Sequence, residues 1–209
     1  MAQQRKDPEE RKNEILDAAE KLFYQKDYTK TTIVDILKAV GIAKGTFYYY
    51  FTSKEEVLDA IVDRYIQNGM KMARQIAQNT QLNAVEKIIR ILKGSGPKEG
   101  SGQETLEQIH QVDNAQFHQK SLSKTIISLA PILAQIVEQG IEEGHFQTRY
   151  PLETIEMILV SGQILFDKGF FNWSSKETQD KSTVFAYNME KLLGAKEGTF
   201  SEIVEILSN

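Results

Sequence analysis

The chain has 209 residues, room for one large domain or for a small domain joined to a larger one. Hydrophobic residues make up 41%, which argues against wholesale disorder, and there is no cysteine, which excludes disulfide scaffolds, thiolate metal sites and cysteine nucleophiles. The net charge is −4 but unevenly spread: ten Lys and Arg stand against eight Asp and Glu up to Lys54, and fifteen against twenty-one beyond it, a slightly basic head on an acidic body.

Met1 to Lys12 is polar and charged, without the apolar core of a signal peptide. The uncharged apolar stretch from Met157 to Phe166 falls well short of the about 20 residues that a membrane-spanning helix needs. A cytoplasmic protein without membrane contact is expected. Only four prolines occur, and apolar residues recur at three- and four-residue spacing, so the expected class is all-α.

In chain order, Ile15, Ala18, Ala19, Leu22 and Phe23 mark the apolar stripe of a helix over 7–26. After Tyr28-Thr29-Lys30, Thr31 or Thr32 can cap a second helix, whose stripe is Ile33, Ile36, Leu37 and Val40. Gly41 ends it, being free to take the left-handed conformation of a tight turn. A short third helix covers 43–50, and Ser53-Lys54-Glu55-Glu56 reads as a capping box that opens a fourth. That helix continues to about residue 79 and would span roughly 39 Å, enough to link two domains. A boundary is therefore placed at 52/53, between a helix-turn-helix domain (1–52) and a helical regulatory domain (53–209). Further helices are expected over 82–93, 103–118, 122–140 with a kink or break at Pro131, 152–171, 176–193 and 200–207, with a glycine-rich loop over 94–102.

The most informative segment is Thr31 to Lys54. Two short amphipathic helices meeting at a glycine turn form a helix-turn-helix. The second carries Lys44, Gly45, Thr46, Tyr48, Tyr49 and Tyr50 in about two turns, while Phe47 and Phe51 point to the core. Tyrosine hydroxyls can bond phosphates, and their rings can lie on thymine methyls. Gly45 permits close approach of backbone to backbone, Lys44 can reach a guanine edge or a phosphate, and Lys54 at a helix start can meet another phosphate. The plainer reading is that the tyrosines only pack against neighbouring helices; the ordered glycine turn, short helix and capping box favour DNA.

Thr31 to Leu58 resembles the TetR (tetracycline-repressor-like) family of bacterial regulators. The family's Lys-Gly-Thr-aromatic-Tyr-x-(His or Tyr)-Phe pattern stands here as Lys44 to Phe51, followed by Ser53-Lys54-Glu55-Glu56. The resemblance implies that Lys44, Thr46 and Tyr49 face bases or flanking phosphates, and that Thr32, Tyr48, Tyr50 and Lys54 mainly hold phosphates. Val34 departs from the pattern, since members commonly place a polar contact there. The resemblance also implies a homodimer through helices near 152–171 and 176–193, a double-stranded palindromic operator, and a small-molecule effector that releases it.

Met157 to Phe166 is apolar nearly all round, so one side should meet the core and the other a second copy; a central helix buried in a monomer is the alternative. A largely apolar ligand cavity is expected near Tyr65, Met72, Ile109, Phe117 and Phe166, with His110, Asn114 and His118 as polar contacts. The same residues could simply pack. Glu107, His110, Asn114 and His118 share a helical face that could also hold a metal, but without cysteines or a second Glu-x-x-His, no metal and no cofactor is expected. The glycine loop lacks the Lys-Ser/Thr of a P-loop, and no nucleophile elbow or supported carboxylate pair is found, so no catalysis is expected. The leading expectation is a ligand-released repressor; the alternative is a DNA-binding protein of the same fold controlled by a protein partner.

Overall fold

The computed structural model describes residues 7–95 and 115–208, without the side chains of 95 and 115–118. Nine helices and no strand occur among the described residues. They are α1 (Pro8–Lys26), α2 (Ile33–Val40), α3 (Lys44–Tyr50), α4 (Lys54–Ala77), α5 (Ala84–Ser95), α6 (Ala115–Glu142), α7 (Pro151–Leu165), α8 (Ser175–Leu193) and α9 (Ser201–Ser208). The chain divides into two compact units, and the division falls within α4, between Tyr65 and Ile66.

The first unit is organised by helix ends. Asp7 caps α1 by accepting the Glu9 N–H at 2.8 Å, and Pro8 occupies the first turn, where its missing N–H costs nothing. Thr32 and Asp35 form a reciprocal capping box on α2. Gly41 ends α2 in the left-handed region at φ 72°, and its N–H returns to the Leu37 carbonyl. The core joins Ile15, Leu16, Ala19 and Phe23 of α1 to Ile36 of α2, Phe47 of α3, and Val57, Leu58, Ile61 and Val62 of α4.

The start of α4 therefore belongs to the first unit rather than beginning the second at residue 53. Its apolar face completes the first core. Arg64 ties it to Asp17 and Glu20 of α1 at 2.6 and 2.7 Å, and the Tyr65 hydroxyl donates to Glu20. Burial, with Glu20 beside it, raises the Tyr65 phenol above its ordinary pKa.

The second unit surrounds α6. Its core combines Met70 and Ala73 of α4, Ile88 and Ile91 of α5, Leu129 to Val137 of α6, Ile155 and Ile158 of α7, Met189 and Leu193 of α8, and Ile203 of α9. The buried Lys87 donates to the Ala77 carbonyl at the end of α4 and to Gln139 of α6, at 2.7 and 2.6 Å. Buried Glu190 accepts the Phe200 N–H at 2.9 Å just before α9. At Gly140 a Cβ would lie 2.2 Å from the Phe146 ring, so only glycine lets that ring approach α6.

Two boundaries differ from the sequence expectation. Helix α6 passes through Pro131 unbroken. The proline lies on its exposed side beside Ile127, which is 73% exposed, so the carbonyl that loses its partner can turn to water. Helix α7 stops at Leu165 rather than near 171: the Asp167 carboxylate accepts the Gly169 N–H, and its carbonyl accepts those of Phe170 and Phe171, which turns the chain. The stretch 119–142 of α6 is long and apolar enough to cross a bilayer by composition, but here it is the central core helix. The expected helix over 103–118 lies outside the described residues except for its end, where α6 begins.

Candidate nucleic-acid interface

Helix α3 is too short to hold itself together, so its buried face fixes it. Phe47 and Phe51 are both buried, 6.1 Å apart between ring centroids, and join it to the first core. At 100° per residue, positions 44, 45, 48 and 49 fall within an arc of roughly 140° that excludes Phe47, while Phe51 lies beyond the helix as its extended C-cap. All four are exposed, Tyr49 at 77% and Tyr48 at 45%. The Lys44 ammonium lies 5.7 Å from the Tyr48 ring centre, and the Tyr49 and Tyr50 rings meet edge to face at 4.9 Å.

The structure thus brings Lys44, Gly45, Tyr48 and Tyr49 onto one outward face. Thr46 and Tyr50 are half-buried on the other flank of the helix. At Gly45 a Cβ would meet nothing within 4 Å inside the protein, so no internal contact requires glycine there. Thr32 is exposed, but its hydroxyl is engaged with Asp35, whose carboxylate takes that O–H at 2.7 Å, the Thr32 N–H at 2.9 Å and the Lys26 ammonium at 2.7 Å. These bonds, the one from Lys26 foremost, hold the Asp35 carboxyl well below its usual range.

Lys54 differs from the expectation of a phosphate contact. Its ammonium turns inward, donating to the Tyr28 and Thr31 carbonyls at 2.7 and 2.9 Å, and sits 4.1 Å from the Tyr28 ring centre. The reason is that the connection between α1 and α2 ends in carbonyls with no helical partner, and the first turn of α4 brings a cation to them. Burial lowers the Lys54 pKa.

Sequence reasoning missed three features. Lys38 is exposed one turn beyond Val34, itself 55% exposed, and the i, i+4 spacing is the signal that could have found it. Asp35 was not singled out, although Thr-x-x-Asp is a capping signature. The Ser53 hydroxyl accepts the Glu56 N–H at 3.2 Å, as the expected capping box requires, but the Glu56 carboxylate reaches back to the N–H and hydroxyl of Thr52, at 2.6 and 2.7 Å, rather than to Ser53.

Of the expected ligand contacts, Tyr65 belongs to the first unit and is bonded to Glu20, whereas Met72 and Phe166 belong to the second. Met72 is half-buried, and its methyl lies close to Gly94 of α5; Phe166 meets Phe185 edge to face at 5.5 Å. Ile109, His110 and Asn114, and the side chains of Phe117 and His118, lie outside the described residues, as does Glu107. Among the described residues no group of three or more His, Asp or Glu could hold a metal.

Residues 15–61 match the family described as bacterial regulatory proteins of the tetR family, and residues 99–188 match that of tetracyclin repressor-like C-terminal domains. An HTH-type transcriptional regulator from the lacX 3' region of Lactococcus lactis is 48% identical over 60 residues, 29% of this chain and 31% of that protein. The Bacillus subtilis HTH-type regulator YhgD is 28% identical over 180 residues, 84% of this chain and 91% of that protein. The structure of SmeT in complex with triclosan, the Stenotrophomonas maltophilia repressor of a multidrug efflux pump, shares the fold at TM-score 0.63 and 20% identity, covering 91% of this chain and 94% of that one. The N-terminal family match thus runs from within α1 into α4, and the chain belongs to the tetracycline-repressor-like (TetR) family of bacterial DNA-binding transcription regulators.

Proposed function

We propose that the protein is a homodimeric repressor that reads a palindromic operator through α3 and releases it when a small, largely apolar molecule enters the second unit. The observation that carries this reading is the outward cluster of Lys44, Gly45, Tyr48 and Tyr49, which is exposed and has the chemistry of a groove contact. Thr46 and Tyr50 on the flank of α3, and Thr32 at the start of α2, would add contacts to the DNA backbone.

The dimer reading rests on α7 and α8. Met157 and Val160 of α7 are 61% and 48% exposed, and Val184 and Tyr187 of α8 are 58% and 47% exposed. Each pair has i, i+3 spacing and so forms a stripe. Below these stripes the helices approach so closely that a Cβ on Gly162 would lie 2.9 Å from the Phe185 ring. Two such stripes on one subunit suit a second copy across a two-fold axis. A dimer places two reading helices on half-sites separated by one or more turns of the duplex.

Effector control is proposed by likeness to SmeT, whose structure holds triclosan. A hundredfold loss of operator affinity needs about 2.7 kcal/mol of preference for the DNA-incompetent state. The test is selection of bound fragments from genomic DNA, followed by release assays with hydrophobic compounds. Selection of a palindrome, with release by a compound that raises the melting temperature, is expected. An operator complex indifferent to every stabilising compound would instead favour control by a partner protein.

A further inference from the structure

The reading surface has an unusual chemical inventory. From Thr31 to Lys54 the sequence contains no Arg, Asn, Gln or His. In the major groove, Arg pairs bidentately with guanine, Asn and Gln pair bidentately with adenine, and apolar groups touch the C5 methyl of thymine. This segment therefore lacks every side chain that reads adenine by a bidentate pair. Its single carboxylate, Asp35, is engaged with Lys26 and Thr32, so it is not free for a cytosine amino group. Thr31 is buried, and Lys54 is turned to carbonyls.

What remains outward is apolar or cationic, apart from the hydroxyls that Tyr48 and Tyr49 carry at the ends of their rings. Val34 is 55% exposed in the first turn of α2, and Tyr49 at 77% is the most exposed large apolar side chain among the described residues. A β-branched residue in a helix and bare to water gains neither packing nor helix propensity. Lys44 and Lys38 offer hydrogen-bond donors but no acceptor. Adenine can then offer this surface only single hydrogen bonds, whereas the thymine methyl meets the exposed carbons of Val34 and Tyr49.

We propose that this helix-turn-helix identifies its operator chiefly by thymine C5 methyl groups, with Val34 and Tyr49 as the methyl-reading side chains and Lys44 supplying the hydrogen bonds to guanine or phosphate. The inference rests on the operator-binding function proposed above and specifies the chemistry of the half-site. Val34 thereby becomes a specificity residue of α2. Because both side chains are exposed, their truncation leaves the first core untouched.

The test uses the full chain and a pool of random duplexes. Duplexes enriched by binding are resynthesised with each thymine in turn replaced by deoxyuridine, which lacks only the methyl, and each adenine by 7-deazaadenine, which lacks the N7 acceptor. Deoxyuridine is expected to weaken binding roughly fourfold per contacted methyl, the value of one buried carbon, and 7-deazaadenine to weaken it less. In Val34→Ala one thymine position should lose its sensitivity to deoxyuridine, and in Tyr49→Ala a different one. Enriched duplexes that tolerate deoxyuridine everywhere but not 7-deazaadenine would overturn the inference and leave operator binding standing. Failure to enrich any sequence would overturn both.

Discussion

At the scale of single residues, Gly45 separates stability from function. An alanine methyl would meet nothing in the free protein, and alanine is the better helix former by about 0.5–1 kcal/mol. Gly45→Ala is thus expected to melt at or above the wild-type temperature and yet to bind operator more weakly, because the methyl would face DNA. Equal or stronger operator binding would remove Gly45 from the interface. Lys44→Ala or Tyr49→Ala should cost about 1–3 kcal/mol of operator affinity with the fold intact, checked by titration of labelled duplex and circular dichroism.

Lys54 carries the opposite expectation. Losing its ammonium leaves the Tyr28 and Thr31 carbonyls without these bonds, an effect on the order of 1–3 kcal/mol if they become unsatisfied. Lys54→Ala should melt lower while keeping the wild-type slope of log affinity against log salt. A slope reduced by about one unit per subunit would return Lys54 to a phosphate.

At the scale of helices, capping carboxylates set the acid response. Glu177 accepts the Ser174 hydroxyl and N–H at 2.7 and 2.9 Å, which lowers its pKa, and Glu56 is lowered by the Thr52 N–H and hydroxyl in the same way. Both are more acidic folded than unfolded. Their stabilisation is therefore complete above the unfolded carboxylate range and is lost as pH falls through the folded values. The melting temperature should be level from about pH 7 to about pH 5 and fall below that, less steeply in Glu177→Gln. Ser174→Ala should cost about 1 kcal/mol at neutral pH, read from thermal unfolding.

At the scale of the whole molecule, the apolar stripes of α7 and α8 predict assembly. Met157→Glu with Val160→Glu should give a folded monomer by light scattering and circular dichroism, with operator affinity reduced because each reading helix then binds alone. A variant that stays dimeric would place the interface elsewhere. The division of the chain within α4 has its own consequence: Arg64 and Tyr65 hold α4 to α1. Arg64→Ala should destabilise the first unit while leaving the exposed face of α3 unaltered.

The sequence alone determined the all-helical class, the helix-turn-helix, its glycine turn and the exposure of Tyr48 and Tyr49, because each follows from a local rule: apolar periodicity, a capping hydroxyl, a left-handed glycine. It also pointed to α7 as a helix with two apolar sides. Only the tertiary structure decided where Lys54 points, since its acceptors lie 26 and 23 residues away, beyond the reach of any local pattern. The continuity of α6 through Pro131 likewise depended on which side of the helix faces water, a fact that burial sets. Likewise, Thr46 and Tyr50 were separated from Tyr49 by the direction in which Phe47 and Phe51 anchor α3, because a short helix takes its rotation from the core beneath it and not from its own residues.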